Sequence, residues 1–221
     1  MLFSILLKRS LKKSYKKVLI STLITSLLIA STLRSASSAS AASCTRTEAL
    51  TEGPYYSTNT PVRSNIISSQ VGTKTTLTVT VIDTSCKPVK GVRVDIWHAN
   101  AAGKYSAVEG DTQNFLRGTQ TTNSRGQATF TTIYPGWYPG RTMHVHFKIW
   151  KNGEQVLTSQ FFTSDKVNSK IYANGAYAAR GNQDTPLAAD SIYTGLRNPA
   201  ALNLTVKIAS TITVSGRVVI S

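Results

Sequence analysis

From residue 76 onward the chain keeps returning to a period of two. Thr76–Ile82 runs TLTVTVI, Val92–Trp97 runs VRVDIW, Gln127–Ile133 runs QATFTTI, Met143–Trp150 runs MHVHFKIW and Gln155–Phe162 runs QVLTSQFF. Successive side chains of a strand leave opposite faces, so each run predicts a strand. In VRVDIW, Val92, Val94 and Ile96 oppose Arg93, Asp95 and Trp97. Turn signals separate the runs: Asp83-Thr84-Ser85 with Lys87-Pro88, then Gly126, then Asn152-Gly153 as a hairpin turn. Short strands at this spacing imply an all-β sandwich or barrel. No long stretch after residue 42 carries a helical period. Short helical turns are expected near Ser164–Tyr172 and Pro186–Asp190.

The two ends differ from this middle. Residues 43–75 predict an irregular arm, broken by Gly53-Pro54 and Thr60-Pro61. Leu202–Ser221 is β-prone and rich in Ser and Thr, and suits either an added strand pair or a loosely held extension. At the N-terminus, Lys8, Arg9, Lys12, Lys13, Lys16 and Lys17 precede the apolar run Val18–Leu33 and the small residues RSASSASAASC. A basic block, an apolar core and a small-residue zone describe a secretory signal, with processing expected around Ala39–Ser43. The rival is an uncleaved anchor. The run has 16 residues, six of them Ser or Thr, and a span needs about 20. The expected organisation is a leader over 1–42, an arm over 43–75, a strand-rich domain over 76–200 and a tail over 201–221.

Charge follows the same division. The net +15 includes seven positive residues and no acidic ones within 1–42, which leaves 18 basic against 10 acidic, or +8, for the rest. Those charges are dispersed singly, so no nucleic-acid partner is expected. The two cysteines, Cys44 and Cys86, both lie beyond the leader. An exported chain with an even count favours a Cys44–Cys86 disulfide; the alternative is lipidation of Cys44. A membrane is expected as a partner only through the leader or that lipid. Asn203-Leu204-Thr205 fits the N-glycosylation acceptor pattern, which matters only in a eukaryotic secretory pathway.

Chemistry gathers in TTIYPGWYPGRTMHVHFKIW, residues Thr131–Trp150. His144 and His146 are two apart on a predicted strand, so both imidazoles leave one face while Val145 leaves the other. Tyr138 stands six residues before the pair and Arg141 three before it. Taken alone, a His-x-His is more often an accident of surface or core than a metal site. The third histidine, His98, follows Trp97, and Tyr105 lies seven residues further on. A three-histidine zinc site would need all three histidines. A tyrosine binds as phenolate only to a strongly acidic ion, because its ordinary pKa is near 10; Fe(III) is such an ion.

DIWHANAAGKYS, FLRGTQTTNSRGQATFTTIYPGWYPGRTMHVHF, LTSQFF and TEGPYY together resemble the intradiol ring-cleavage dioxygenases, most closely their small secreted branch. The likeness runs from about Glu48 to Tyr193. It implies a single β-sandwich with long loops and non-haem Fe(III). It also implies that Tyr105, Tyr138, His144 and His146 are the metal ligands. By the same likeness, Arg141 faces the substrate ring, Gln160 contacts the same region, and Tyr138 is the phenolate that takes a proton from substrate. Two phenolates and a hydroxide would balance Fe(III), and a catechol dianion that replaces one phenolate and the hydroxide keeps that balance, so no net charge is buried. The implied reaction inserts both atoms of O2 into a catecholic substrate, between the hydroxyl-bearing carbons, giving a cis,cis-muconate-type diacid. Tyr134 and Trp137 are expected to pack, His98 to be structural, and Tyr55 and Tyr56 to line the mouth. The larger catechol branch has an N-terminal helical region used in subunit pairing; only a short arm follows the leader here, so a monomer is the simpler expectation. Substrate choice is left to loops such as Glu109–Leu116. The competing functions are a secreted binding module for wall polymers without turnover and a hydrolytic or copper enzyme built on His-x-His.

Overall fold

The computed structural model describes residues 43–108 and 113–221. The expected leader and part of the Glu109–Leu116 loop lie outside the described residues. Eight strands make two four-stranded sheets. The first joins β1 (Lys74–Asp83), β4 (Gln127–Ile133), β7 (Thr205–Ile208) and β8 (Ile212–Ile220) in the order β4-β1-β8-β7. The second joins β2 (Arg93–Trp97), β3 (Arg117–Thr121), β5 (His144–Lys151) and β6 (Glu154–Phe162) in the order β3-β2-β5-β6. This is the sandwich, one of the two all-β architectures that the alternating runs leave open and the one that the family resemblance implies. Leu77, Val79 and Val81 of β1, Phe130 of β4, Val94 and Ile96 of β2, and Val145, Phe147 and Ile149 of β5 are all buried in one core.

One element departs from expectation. β3 is built from RGTQT, which has no apolar alternation to announce it; it forms by pairing with β2, Arg93↔Thr121 through Trp97↔Arg117. The tail takes the first of the two forms expected of it, an added strand pair, and is part of the sandwich, so the boundary expected at residue 200 falls inside it. β8 lies between β1 and β7, parallel to β1 from Thr75↔Ile212 to Asp83↔Ile220. Its buried Ile212, Val214 and Val218 complete the core face. A loose extension would leave the β1 backbone unpaired along one side.

The arm has few strand bonds of its own and is a strap across the sandwich. Residues 61–66 cross the open edges of both sheets: Thr119 N–H donates to the Pro61 carbonyl at 2.9 Å, and Thr131 N–H donates to the Ser64 carbonyl at 2.8 Å. Its beginning is tied by the Cys44–Cys86 disulfide, which places Cys44 in the first of the two states expected of it. Thr47 N–H donates to Val219 and Leu50 N–H to Thr158, at 3.0 and 2.9 Å. From there the arm covers the outward face of the second sheet.

A helical excursion connects β6 to β7. It contains α1 (Asp165–Tyr172), α2 (Ser191–Thr194) and short 3-10 turns at Gly175–Tyr177, Leu187–Ala189 and Pro199–Leu202. Both expected helical turns therefore form, as α1 and the Leu187–Ala189 turn. His98 sits between the sheets, fully committed. Its Nδ1 lies 2.9 Å from the Ala99 carbonyl, so that nitrogen carries the proton; Nε2 accepts from the Thr132 hydroxyl at 2.7 Å.

Burial pulls the His98 pKa down to about 4; the Ala99 carbonyl opposes this and the Arg117 charge adds to it. The unfolded chain takes up this proton near pH 6.5 and the native one only near 4, so stability is present above pH 6.5 and falls away as pH drops through that interval. A His98→Gln variant is expected to unfold with a shallower pH dependence across it, measured by denaturant midpoints. The disulfide closes a separation of 42 residues, which in the chain-entropy account contributes about 4 kcal/mol. The Cys44→Ser/Cys86→Ser double variant should lose about 3 kcal/mol in urea unfolding; an unchanged midpoint would count against a stapling role.

Candidate active site

Strand β5 is buried on both faces. Val145, Phe147 and Ile149 point into the core, and His144, His146 and Lys148 point outward beneath the arm. Register then aligns one row across the whole second sheet: Arg117 on β3 opposite Trp97, Trp97 opposite His146, and His146 opposite Gln160. Cross-strand partners share a face, so the sheet itself fixes what surrounds His146. Trp97 stacks on it at 4.9 Å with an interplanar angle of 11°.

Two loops bring phenols to this row. Tyr105 follows the Asn100–Lys104 turn, in which the Asn100 side chain accepts from the N–H groups of Ala102 and Lys104 at 3.0 Å. Tyr138 follows β4 in the Tyr134–Gly140 loop. The loops touch through glycine: a Cβ on Gly136 would lie 2.4 Å from the Asn100 carbonyl oxygen, and one on Gly103 2.1 Å from that of Trp137. Arg180 stitches them, with its guanidinium over the Trp137 ring at 4.3 Å and Nη1 donating to the Trp137 carbonyl at 2.6 Å.

The outcome is a convergence of donors. The Tyr105 and Tyr138 hydroxyls stand 3.2 and 3.3 Å from His144 Nε2. His144 Nδ1 lies 2.8 Å from the Thr142 carbonyl, so Nδ1 holds the proton and Nε2 presents its lone pair to the phenols. The imidazoles of His144 and His146 sit 4.8 Å apart, centroid to centroid. Burial brings the His144 pKa down to about 3, with the Arg141 charge adding to the effect. Burial, His144 and Arg141 bring His146 well below 6.5. Both rings are therefore neutral. Burial raises the Tyr105 phenol well above 10, with Tyr138 reinforcing and Arg141 and Arg117 opposing. Burial raises Tyr138 too, against the Arg141 guanidinium beside it.

Arg141 and Gln160 join the same group. Arg141 Nη2 donates to Gln160 Oε1 at 2.7 Å, and Gln160 Nε2 donates to the Thr51 carbonyl at 2.9 Å. Tyr55 lies on the Tyr105 ring at 4.5 Å and meets Tyr138 edge-on at 6.4 Å. Tyr56 packs against Trp97 at 5.0 Å and donates to Asp95 at 3.1 Å. Lys148 pairs with Glu52 and stands over the Tyr56 ring at 3.5 Å. The structure thus brings together Tyr105, Tyr138, Arg141, His144, His146 and Gln160, and leaves His98 apart with both nitrogens used.

A family model described as Dioxygenase matches residues 51–182, more than half of the chain. The chain is 34% identical over 110 residues to the protocatechuate 3,4-dioxygenase beta chain of Burkholderia cepacia, covering 43% of this chain and 47% of that one. It is 28% identical over 149 residues to the catechol 1,2-dioxygenase of Candida albicans, covering 55% and 49% respectively. The chain spans about half the length of these curated relatives. An intradiol ring-cleavage dioxygenase from Tetranychus urticae superposes with a TM-score of 0.76 at 29% identity, covering 80% of this chain and 95% of that one. The chain belongs to the intradiol ring-cleavage dioxygenases.

This family cleaves catechol-type rings and uses non-haem Fe(III), and the donor set fits that ion. Among the described residues no cluster of three or more His, Cys, Asp or Glu side chains forms; the convergent donors are phenols and imidazoles. Two buried phenols with raised pKa values need a strongly acidic cation to ionise, and a hard trivalent ion meets that need. Zinc on three histidines does not fit, because both His98 nitrogens are engaged.

Sequence reasoning missed Asp190 and Gln183. Asp190 is fully buried, accepts from Arg141 Nε at 2.8 Å and from Thr142 N–H at 3.0 Å, and caps α2 through Ile192 and Tyr193. Burial pushes its carboxyl up, and the Arg141 hydrogen bond and charge with these N–H donors more than offset that, leaving it below its ordinary value. Gln183 accepts from Met143 N–H at 3.1 Å and donates to Thr142 Oγ1 at 2.8 Å. The capping pattern Asp190-Ser191 was legible as a helix start; nothing in it names Arg141.

The glycine contact gives a direct check. Gly136→Ala should push the Asn100 loop away and part Tyr105 from Tyr138. The expected result is a drop in ferric binding of about tenfold or more, followed by titration of the metal-free protein; affinity equal to wild type would contradict the close approach.

Proposed function

We propose that this chain is an exported Fe(III)-dependent intradiol dioxygenase that cleaves a catecholic ring between its hydroxyl-bearing carbons, inserting both atoms of O2 to give a cis,cis-muconate-type diacid. The observation that carries the reading is His144 Nε2 facing both the Tyr105 and Tyr138 hydroxyls, at 3.2 and 3.3 Å. Tyr105, Tyr138, His144 and His146 would hold the ion. Ferric iron bound there would supply a Lewis acid for both catechol oxygens and draw electron density from the ring, opening it to O2.

The protein's own groups do the rest. Tyr138 is half-buried where Tyr105 is buried. As phenolate it accepts a proton from an incoming catechol hydroxyl, so a catechol arriving neutral can be bound as its anion. Arg141 sets a positive charge beside Tyr138 and, through it, beside the ring; it stabilises negative charge that develops during ring attack. Gln160 holds Arg141 in that orientation. Tyr55, Trp97 and the arm backbone exclude water from the outward face, which strengthens these interactions. Protocatechuate and catechol are substrates named for the relatives; a catechol nucleus is the part common to both, and O2 the co-substrate.

Export is supported by the basic, apolar and small-residue succession of residues 8–43 and by the Cys44–Cys86 bridge, which suits an oxidising compartment.

Loaded with Fe(III), the purified protein should be red from phenolate-to-iron charge transfer and should consume O2 with catechol. Tyr138→Phe should bleach or shift that band and slow turnover by about a hundredfold. Red protein that takes up no O2 across catechol, protocatechuate and larger catechols would overturn the enzymatic reading and favour a binding module; colourless protein would overturn the ligand set.

A further inference from the structure

Arg141 is held from two sides, and only one of them, Gln160, was visible as part of the site. A guanidinium carries five N–H donors in one plane. Gln160 Oε1 takes an Nη2 proton at 2.7 Å, and Asp190 Oδ2 takes the Nε proton at 2.8 Å. Two bonds from separate nitrogens to separate partners stop the plane from rotating, and the charge of the same guanidinium acts on the Tyr138 phenol.

Asp190 is itself immobile. Its Oδ1 accepts from Ile192 and Tyr193 N–H at 3.0 and 3.1 Å, and its Oδ2 also accepts from Thr142 N–H at 3.0 Å. The Thr142 carbonyl in turn engages His144 Nδ1 at 2.8 Å. One carboxylate oxygen therefore refers the direction of Arg141 to the backbone that orients His144. Asp190 is fully buried, and the Arg141 side chain is only 15% exposed, so the pair is screened little by solvent.

We propose that Asp190 is the positioning residue for Arg141, aiming the guanidinium at the ring-binding side of the site and fixing it relative to His144. The proposal rests on Arg141 facing the substrate. It differs from a purely structural role, in which Asp190 would serve only as the cap of α2. An asparagine separates the two. In Asp190→Asn the amide oxygen can keep the cap to Ile192 and Tyr193, while the NH2 group faces the donors of Arg141 and Thr142.

The test uses the iron-loaded full protein with catechol. Asp190→Asn is expected to lower kcat by about tenfold or more. Anaerobic catechol affinity, read from the shift of the charge-transfer band, should stay within about threefold of wild type, and the resting band should not move. With Arg141→Ala as background, adding Asp190→Asn should cost no further activity, because residues acting as a unit are non-additive. A kcat within twofold of wild type, losses that multiply in the double variant, or a displaced resting band would each overturn the positioning role. If Asp190→Asn does not fold, Asp190→Ser, which keeps a capping oxygen, is read by the same criteria. If wild-type protein turns over no catechol, the enzymatic reading fails and this role falls with it; active wild type with an indifferent Asp190→Asn sinks the positioning role alone.

Discussion

The site depends on β5 having no solvent face. A strand at the surface of a sandwich normally turns one side to water. Here the arm lies over that side, so His144, His146 and Lys148 are as buried as Val145 and Phe147. Burial keeps the imidazoles neutral and their lone pairs available, and it opposes ionisation of the phenols. An exposed His-x-His would be partly protonated in mild acid and free to turn. The same covering holds Tyr55 and Tyr56 over the His146 row, so the arm that creates the environment also lines it.

Covering polar side chains with backbone and aromatic groups sets a second requirement: each buried charge needs a partner, because an unpaired one costs several kcal/mol. Lys148 has Glu52 from the arm and the Tyr56 ring. Asp95 accepts from Arg93, Trp150, Thr119 and Tyr56. Arg141 has Asp190. In each case one member lies on the sheet or its flanking loop, and a partner comes from a distant part of the chain. Electrostatic pairing is thus what docks the arm and the helical excursion onto the sheet, beyond the apolar contacts between the two layers.

Much of this was legible. Alternation marked five of the eight strands, since their apolar positions face a shared core. The i, i+2 spacing of His144 and His146 put both on one face without any knowledge of what covered that face. Tyr105, Tyr138, Arg141 and Gln160 were legible only through the resemblance of their surrounding motifs to the intradiol family. β3 was hidden because RGTQT takes its strand form from β2; the tail was legible as β-prone, but not its pairing, because the parallel partner of β8, β1, lies more than a hundred residues earlier. Asp190 was hidden for a related reason: a cap aspartate has the same sequence signature whether or not an arginine from another loop meets its second oxygen.

The sequence by itself determined the local facts: which segments extend, which side chains share a face, and which residue types are able to bind a hard cation. Those follow from steric period and functional-group chemistry, which act over a few residues. Only the tertiary structure decided that the phenols of two separate loops meet one imidazole nitrogen, that His98 is spent on Ala99 and Thr132, that the tail is a central strand, and that Asp190 faces Arg141. Each of these is a contact across large sequence separation, set by sheet register and by where buried charge finds its partner, and neither is encoded in any single window of the chain.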